Sequence, residues 1–232
     1  MNLRVSPRQV SVALALAVGC LVCAHVFTQY MKFEEHYETQ LGFERLFNLD
    51  YEGNIPTWYA SVTLLLSAFL LAMIGIDQRK QRKPFATHWA VLAGIFMCLS
   101  VDEAAGIHEM GIDLFASFHL TGYLTYSWVL LGGPFALFVG LSYLRFLAHL
   151  PAVTKRLFLL AGSLYVGGAL GVEMISAQWY SVHGQANFTY AMIVAAEETL
   201  EMAGIAVFIY ALCSYIEQGM KEIRLVFGST NF

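Results

Sequence analysis

Carboxylates gather in three short stretches of an otherwise apolar chain. Asp102 and Glu103 stand side by side with His108 and Glu109 close behind, Glu173 stands alone, and Glu197, Glu198 and Glu201 form the third group. His25 is a lone imidazole inside an apolar run. Clustered carboxylates hold cations, handle protons, or sit protonated in a structural network. Oxygen donors with some imidazole suit Fe, Mn, Zn, Ca or Mg better than copper, whose sites favour thiolate, thioether and imidazole. The expected ligands of a divalent metal are therefore Asp102, Glu103, Glu173, Glu197, Glu198, Glu201, His25, His108 and Glu109. No complete metal motif is present. Ferritin-like di-metal sites use two single Glu and two Glu-x-x-His. Here Glu198-x-x-Glu201 stands in for one of these, and neither Glu-x-x-His nor H-E-x-x-H occurs.

The elements that carry these residues are long apolar runs. Six of spanning length read off near 10–29, 57–76, 85–105, 122–146, 157–179 and 190–215. Each has about the ~20 residues a helix needs to cross a bilayer. Barrel strands alternate and run only ~10 residues, so a closed barrel is excluded. Hydrophobic residues make up 58% of the chain and charged residues 13%, against ~25% charged in soluble domains. The fold class expected is all-α: one polytopic membrane helix bundle over 1–232, with a long outer loop over 32–56 and no separate soluble domain.

Basic residues orient the bundle. Arg4, Arg8, Arg79, Lys80, Arg82, Lys83, Arg145, Lys155, Arg156, Lys221 and Arg224 fall on one side, which is 11 of the 13 Lys and Arg, and only Lys32 and Arg45 fall on the other. Both termini are then cytoplasmic. The net charge of -4 gives no reason to expect nucleic acid; membrane lipid is the expected surrounding. The outer loop carries Glu34, Glu35, Glu38, Glu44, Asp50 and Glu52, and Tyr37, Leu41, Phe43 and Leu46 suit a short interfacial helix. Trp58 and Tyr59 suit a headgroup boundary.

Counting 1.5 Å per residue from the cytoplasmic ends puts His25, Asp102, Glu103, Glu173, Glu197, Glu198 and Glu201 in one layer, roughly 20–27 Å up. His108 and Glu109 lie higher, where solvation at the interface is the plainer reading. His25 also reads as a satisfied core histidine. An ionised Asp at a helix centre costs about 2.5–3.5 kcal/mol, and no Lys or Arg lies in the layer. The acids must share protons, meet water, or hold cations.

Other features read blandly. Cys20, Cys23, Cys98 and Cys213 lie in apolar runs and imply no disulfides. Helix 1 follows Arg4 and Arg8 as a signal peptide would, but it is longer than a usual ~7–15 residue core and lacks a clear cleavage site, so it is read as retained. Asn187-Phe188-Thr189 is a glycosylation sequon, relevant only in a eukaryotic host. Gly167-x-x-x-Gly171 offers a close-packing face, including a homo-oligomer contact.

Asn54-Ile-Pro-Thr-Trp-Tyr-Ala60, Ser100-Val-Asp-Glu-Ala-Ala-Gly-Ile-His-Glu109 and Glu197-Glu-Thr-Leu-Glu-Met202 resemble a family of uncharacterised bacterial multi-pass membrane proteins. That resemblance covers most of the chain and implies a six-helix protein of the inner (plasma) membrane. The paired glutamates are also similar to those of intramembrane glutamate proteases of the prenyl-processing type. Those place an Arg shortly after the pair, whereas residue 202 is Met. Two functions follow from the residues. One is a metalloenzyme acting on a lipid or other apolar substrate. The other is a cation- or proton-coupled transporter using the same acids. The inner halves of the helices carry scattered polar groups and no acid, which leans toward a one-sided site.

Overall fold

The computed structural model describes residues 6–35 and 42–219. Arg4, His36, Tyr37, Glu38, Leu41, Lys221 and Arg224 lie outside that range. Every regular element among the described residues is helical. Five helical stretches are long and apolar enough to cross a membrane: α1 (Pro7–Phe33), α3 (Ile55–Lys80), α4 (Ala86–Ala105), the continuous stretch Ala152–His183, and α10 (Phe188–Gly219). Side chains such as Phe27, Phe69, Leu137, Phe138 and Leu141 stand exposed on the surface. Apolar surface of that extent belongs in lipid.

Capping residues fix several helix starts. Ser6 and Gln9 form a reciprocal capping box ahead of α1. Asn54 Oδ1 accepts from the Thr57 amide at 3.1 Å, with Pro56 in the first turn of α3. Asn187, the sequon residue, accepts from the Tyr190 amide at 2.9 Å and from Trp179 Nε1 at 3.0 Å. Its place in the fold is a cap for α10. Gly106, at φ 59, closes α4 with its amide on the Asp102 carbonyl.

The fourth apolar run departs from the expectation. Instead of one helix over 122–146 there is a 3₁₀ turn at Gly122–Leu124, then α6 (Val129–Ser142) and α7 (Leu144–His149). At 14 residues α6 is shorter than a usual span. Pro134 lies inside it and Gly132 and Gly133 precede it, all poor helix formers. Of the expected interfacial helix, α2 (Phe43–Phe47) is present. A further short helix, α5 (Met110–Leu114), follows α4.

Packing centres on α10, which meets α1, α3, α8 (Ala152–Val166) and α9 (Glu173–His183), while α3 lies along α4. Between α8 and α9 the helix widens to a π segment, Gly167–Val172. Gly168 and Gly204 make the close approach of α8 and α10 possible. A Cβ on Gly204 would stand 2.8 Å from the Tyr165 amide nitrogen, and one on Gly168 would stand 2.8 Å from the Glu197 carbonyl. Around Gly167 and Gly171, the glycines of the expected packing face, nothing stands within 4 Å of such a Cβ. Within the chain the close contact therefore uses the neighbouring Gly168.

Candidate functional site

The loop between α2 and α3 turns back into the bundle. The Leu49 amide donates to His25 Nδ1 at 3.0 Å, and His25 Nε2 lies 3.1 Å from the Ala191 carbonyl. An Nδ1 that accepts leaves the ring proton on Nε2, which donates to the carbonyl. His25 is fully buried, and both its ring nitrogens are taken. The expectation of His25 as a metal ligand is corrected accordingly: it ties the loop to α1 and α10. Asn54 Nδ2 holds the same loop through the Asn48 carbonyl at 2.5 Å. Glu44 Oε1 anchors its start by accepting from Gln29, Lys32 and Asn48 at 3.1, 2.9 and 3.0 Å.

Beneath this loop lies a cavity of about 350 Å³. The loop supplies Asp50 and Glu52, α4 supplies Glu103, and the turn after it His108 and Glu109. From α9 comes Glu173, and from α10 come Glu197 and Glu198. Tyr126, Trp128 and Tyr190 complete much of the wall. Glu103, Glu173, Glu197 and Glu198, matched by depth in the sequence, thus line one space. Asp102 and Glu201 do not line it.

Hydrogen bonds order the walls. Trp128 Nε1 donates to Glu173 Oε1 at 2.5 Å. Ser176 Oγ is shared between the Glu173 carbonyl at 2.9 Å and Glu197 Oε2 at 3.0 Å. Tyr190 donates to Asp50 Oδ1 at 2.9 Å and meets the Tyr126 hydroxyl at 2.8 Å. With its hydroxyl proton on Asp50, Tyr190 accepts from Tyr126.

Asp102 has a different job from its neighbours. Its Oδ1 accepts from the His108 amide at 2.7 Å and its Oδ2 lies 3.1 Å from His108 Nδ1. Burial works against a charge on His108, but the bond to Asp102 and that carboxylate's charge, with Glu173 and Glu52 adding to it, push the ring up to about 9. At neutral pH it is a cation paired with the Asp102 carboxylate. The layer carries no Lys or Arg, yet it has this cationic partner at its rim. Burial also raises Asp50 to about 6, with the Tyr190 hydrogen bond opposing and Glu109 reinforcing the rise. Glu52 is raised by burial and by Glu109.

Among the described residues, no three His, Cys, Asp or Glu side chains are placed to hold a metal ion between them. The acids line a space rather than converge on a point. Sequence reasoning placed Asp50 and Glu52 in the outer loop, apart from the candidate site, and missed Tyr126, Trp128, Ser176 and Tyr190 altogether. The one signal available was the run of aromatic residues from Tyr123 to Trp128 in an apolar stretch.

Five helices long and apolar enough to cross a membrane are the mark of a membrane-embedded protein. The chain belongs to the family described as Domain of unknown function (DUF8692), whose profile matches residues 7–215. No curated protein and no solved structure matches it.

Proposed function

We propose that this is an integral membrane protein, with its basic helix ends cytoplasmic, whose outer cavity binds a divalent cation and acts on a lipid or other apolar substrate. The observation that carries the reading is the shared cavity: Glu103, Glu173, Glu197 and Glu198 come from three helices to one space. Like charges so close disfavour joint ionisation, and a divalent ion offsets that repulsion. Among the described residues no three donors are preset around one point, which suits an ion that keeps part of its water shell. That favours a hard ion such as Mg or Ca over tightly ligated Zn or Fe. Such an ion would polarise a substrate oxygen or activate a bound water.

A cation- or proton-coupled transporter is the second reading, and the π segment Gly167–Val172 just below Glu173 favours it, since π segments often mark functional helices. Against it, Phe96 and Phe208 stack at 4.6 Å on the inner side of the acids, and Phe158 packs on Phe208 at 4.7 Å. That aromatic packing supports a site open to one side only.

Elemental analysis and melting temperature of detergent-purified protein test the reading, for wild type, Glu198→Gln and Glu173→Gln. A bound ion stabilises the folded state, so near-stoichiometric metal in wild type and its loss with a lower melting temperature in both variants are expected. Wild-type protein free of metal, with variants that melt no lower, would return the cluster to proton handling or structure.

A further inference from the structure

A second cavity, of about 280 Å³, opens at the opposite, basic end of the bundle. It lies between the end of α3, the α3–α4 connection, the α7–α8 connection and the end of α10. Its walls are interlocked rings: Trp89 stands 4.9 Å from Phe146 and 5.0 Å from Tyr215, and Phe85 stands 5.1 Å from His149. Lys83 and His149 sit at its exposed rim.

Two buried polar side chains face this space without a protein partner. Gln78 is only 5% exposed and Trp89 only 2%, and both line the cavity. Neither the Gln78 amide nor the Trp89 indole N–H has a hydrogen-bond partner among the described residues. Among the described residues no polar side-chain atom sealed off from open space lacks a partner, so these two groups are open to the space they line. A buried amide left unbonded is unfavourable unless something there bonds to it.

The connection above the cavity is held in an unusual backbone. Arg82 and Phe85 adopt positive φ, 53° and 64°, without being glycine, a conformation most side chains rarely take. Lys83 between them is pinned by its amide on the Gln78 carbonyl at 2.9 Å. Local strain of this kind tends to accompany ligand sites. Arg79, Lys80, Arg82, Arg145, Lys155 and Arg156 add positive charge around the same end. The nearby Asp77 lies outside the lining and accepts from Gln81 at 2.6 Å.

Donors at the floor, the Lys83 cation at the rim and aromatic walls between them describe a ligand with anionic oxygens joined to an apolar body. We propose that this cavity binds the phosphate headgroup of an anionic membrane phospholipid. The Gln78 amide and Trp89 indole donate to its oxygens, Lys83 supplies the charge, and the rings pack on the glycerol portion. At about 280 Å³, near the lower end of small-molecule sites at ~300 Å³, the space suits a headgroup whose chains remain in the bilayer. Basic pockets between membrane helices on this side are suited to such headgroups.

Native mass spectrometry of the full chain in neutral detergent tests this, with phosphatidylglycerol, phosphatidylcholine and inorganic phosphate offered separately. Wild type is expected to retain phosphatidylglycerol at least tenfold better than phosphatidylcholine and to retain no free phosphate. Lys83→Glu and Gln78→Leu should each reduce that retention fivefold or more. Arg8→Glu, an exposed charge reversal at the same end of the bundle, should leave it within twofold. Equal retention of the two lipids, equal losses in Lys83→Glu and Arg8→Glu, or retention of free phosphate would each overturn the proposal. Lys83 is exposed, so its variant keeps the test decisive should Gln78→Leu fail to fold.

Discussion

The Trp128 indole nitrogen lies 2.5 Å from Glu173 Oε1, while its ring stands 5.1 Å from that of His108. One side chain thus joins the irregular segment before α6 to an acid on α9 and to the cation at the cavity rim. Gly132 makes room for it, since a Cβ there would run into the indole ring. Trp128→Phe keeps the ring and removes the donor. It should lower stability by about 1–3 kcal/mol, the cost of stranding a buried acceptor. The double variant Trp128→Phe with Glu173→Gln should lose about 0.5–3 kcal/mol less than the sum of the two single losses. Strictly additive melting shifts would mean that the contact carries no energy.

Glu44 sets a pH dependence outside the membrane-spanning helices. Burial alone would raise its pKa, but the Lys32, Gln29 and Asn48 hydrogen bonds and the Lys32 charge hold it below its ordinary value of 4.5. A carboxyl depressed by folding adds stability above its unfolded pKa and loses it as pH falls through the folded value. Glu44→Gln should therefore destabilise by about 1 kcal/mol at neutral pH, allowing for the partly exposed Lys32. The gap from wild type should close as pH drops below 4.5. Melting curves across that range check it; a gap unchanged by acid would show that the charge on Glu44 contributes nothing.

Glycine positions separate packing from open surface. At Gly204 an added Cβ meets the Tyr165 nitrogen at 2.8 Å and the Ala161 carbonyl at 2.9 Å, and backbone cannot rotate away. Gly204→Ala should destabilise by about 1–3 kcal/mol. Gly171→Ala meets nothing within 4 Å and should change stability by less than about 0.5 kcal/mol. Unfolding both variants in mixed detergent micelles measures the contrast, and equal effects would place the α8–α10 contact elsewhere.

Topology gives the remaining prediction. The positive-inside count expects 11 of the 13 basic residues on one side of the membrane, so a compartment-sensitive reporter fused after Phe232 should read as cytoplasmic. A signal from the other side would invert the bundle and turn the acidic cavity inward.

Helix positions were legible because hydrophobic run length is a local property that accumulates along the chain. Five of the runs appear as long helices within a few residues of their expected limits. Counting along an axis needs only the helical rise, and four of the acids it grouped, Glu103, Glu173, Glu197 and Glu198, line one cavity. Rotation and return were not legible. How α4 is turned depends on its packing along α3, a contact between distant segments, so Asp102 turned to His108 while Glu103 turned to the cavity. His25 and His108 are both single imidazoles near the same layer. One became an anchor because a loop amide from Leu49 reached it, the other a cation because Asp102 lay six residues earlier. The fourth run could not be read as broken from hydropathy alone. Tertiary contacts of Tyr126 and Trp128 with Tyr190 and Glu173 offset the helical hydrogen bonds that segment forgoes, and those partners lie dozens of residues away in the chain.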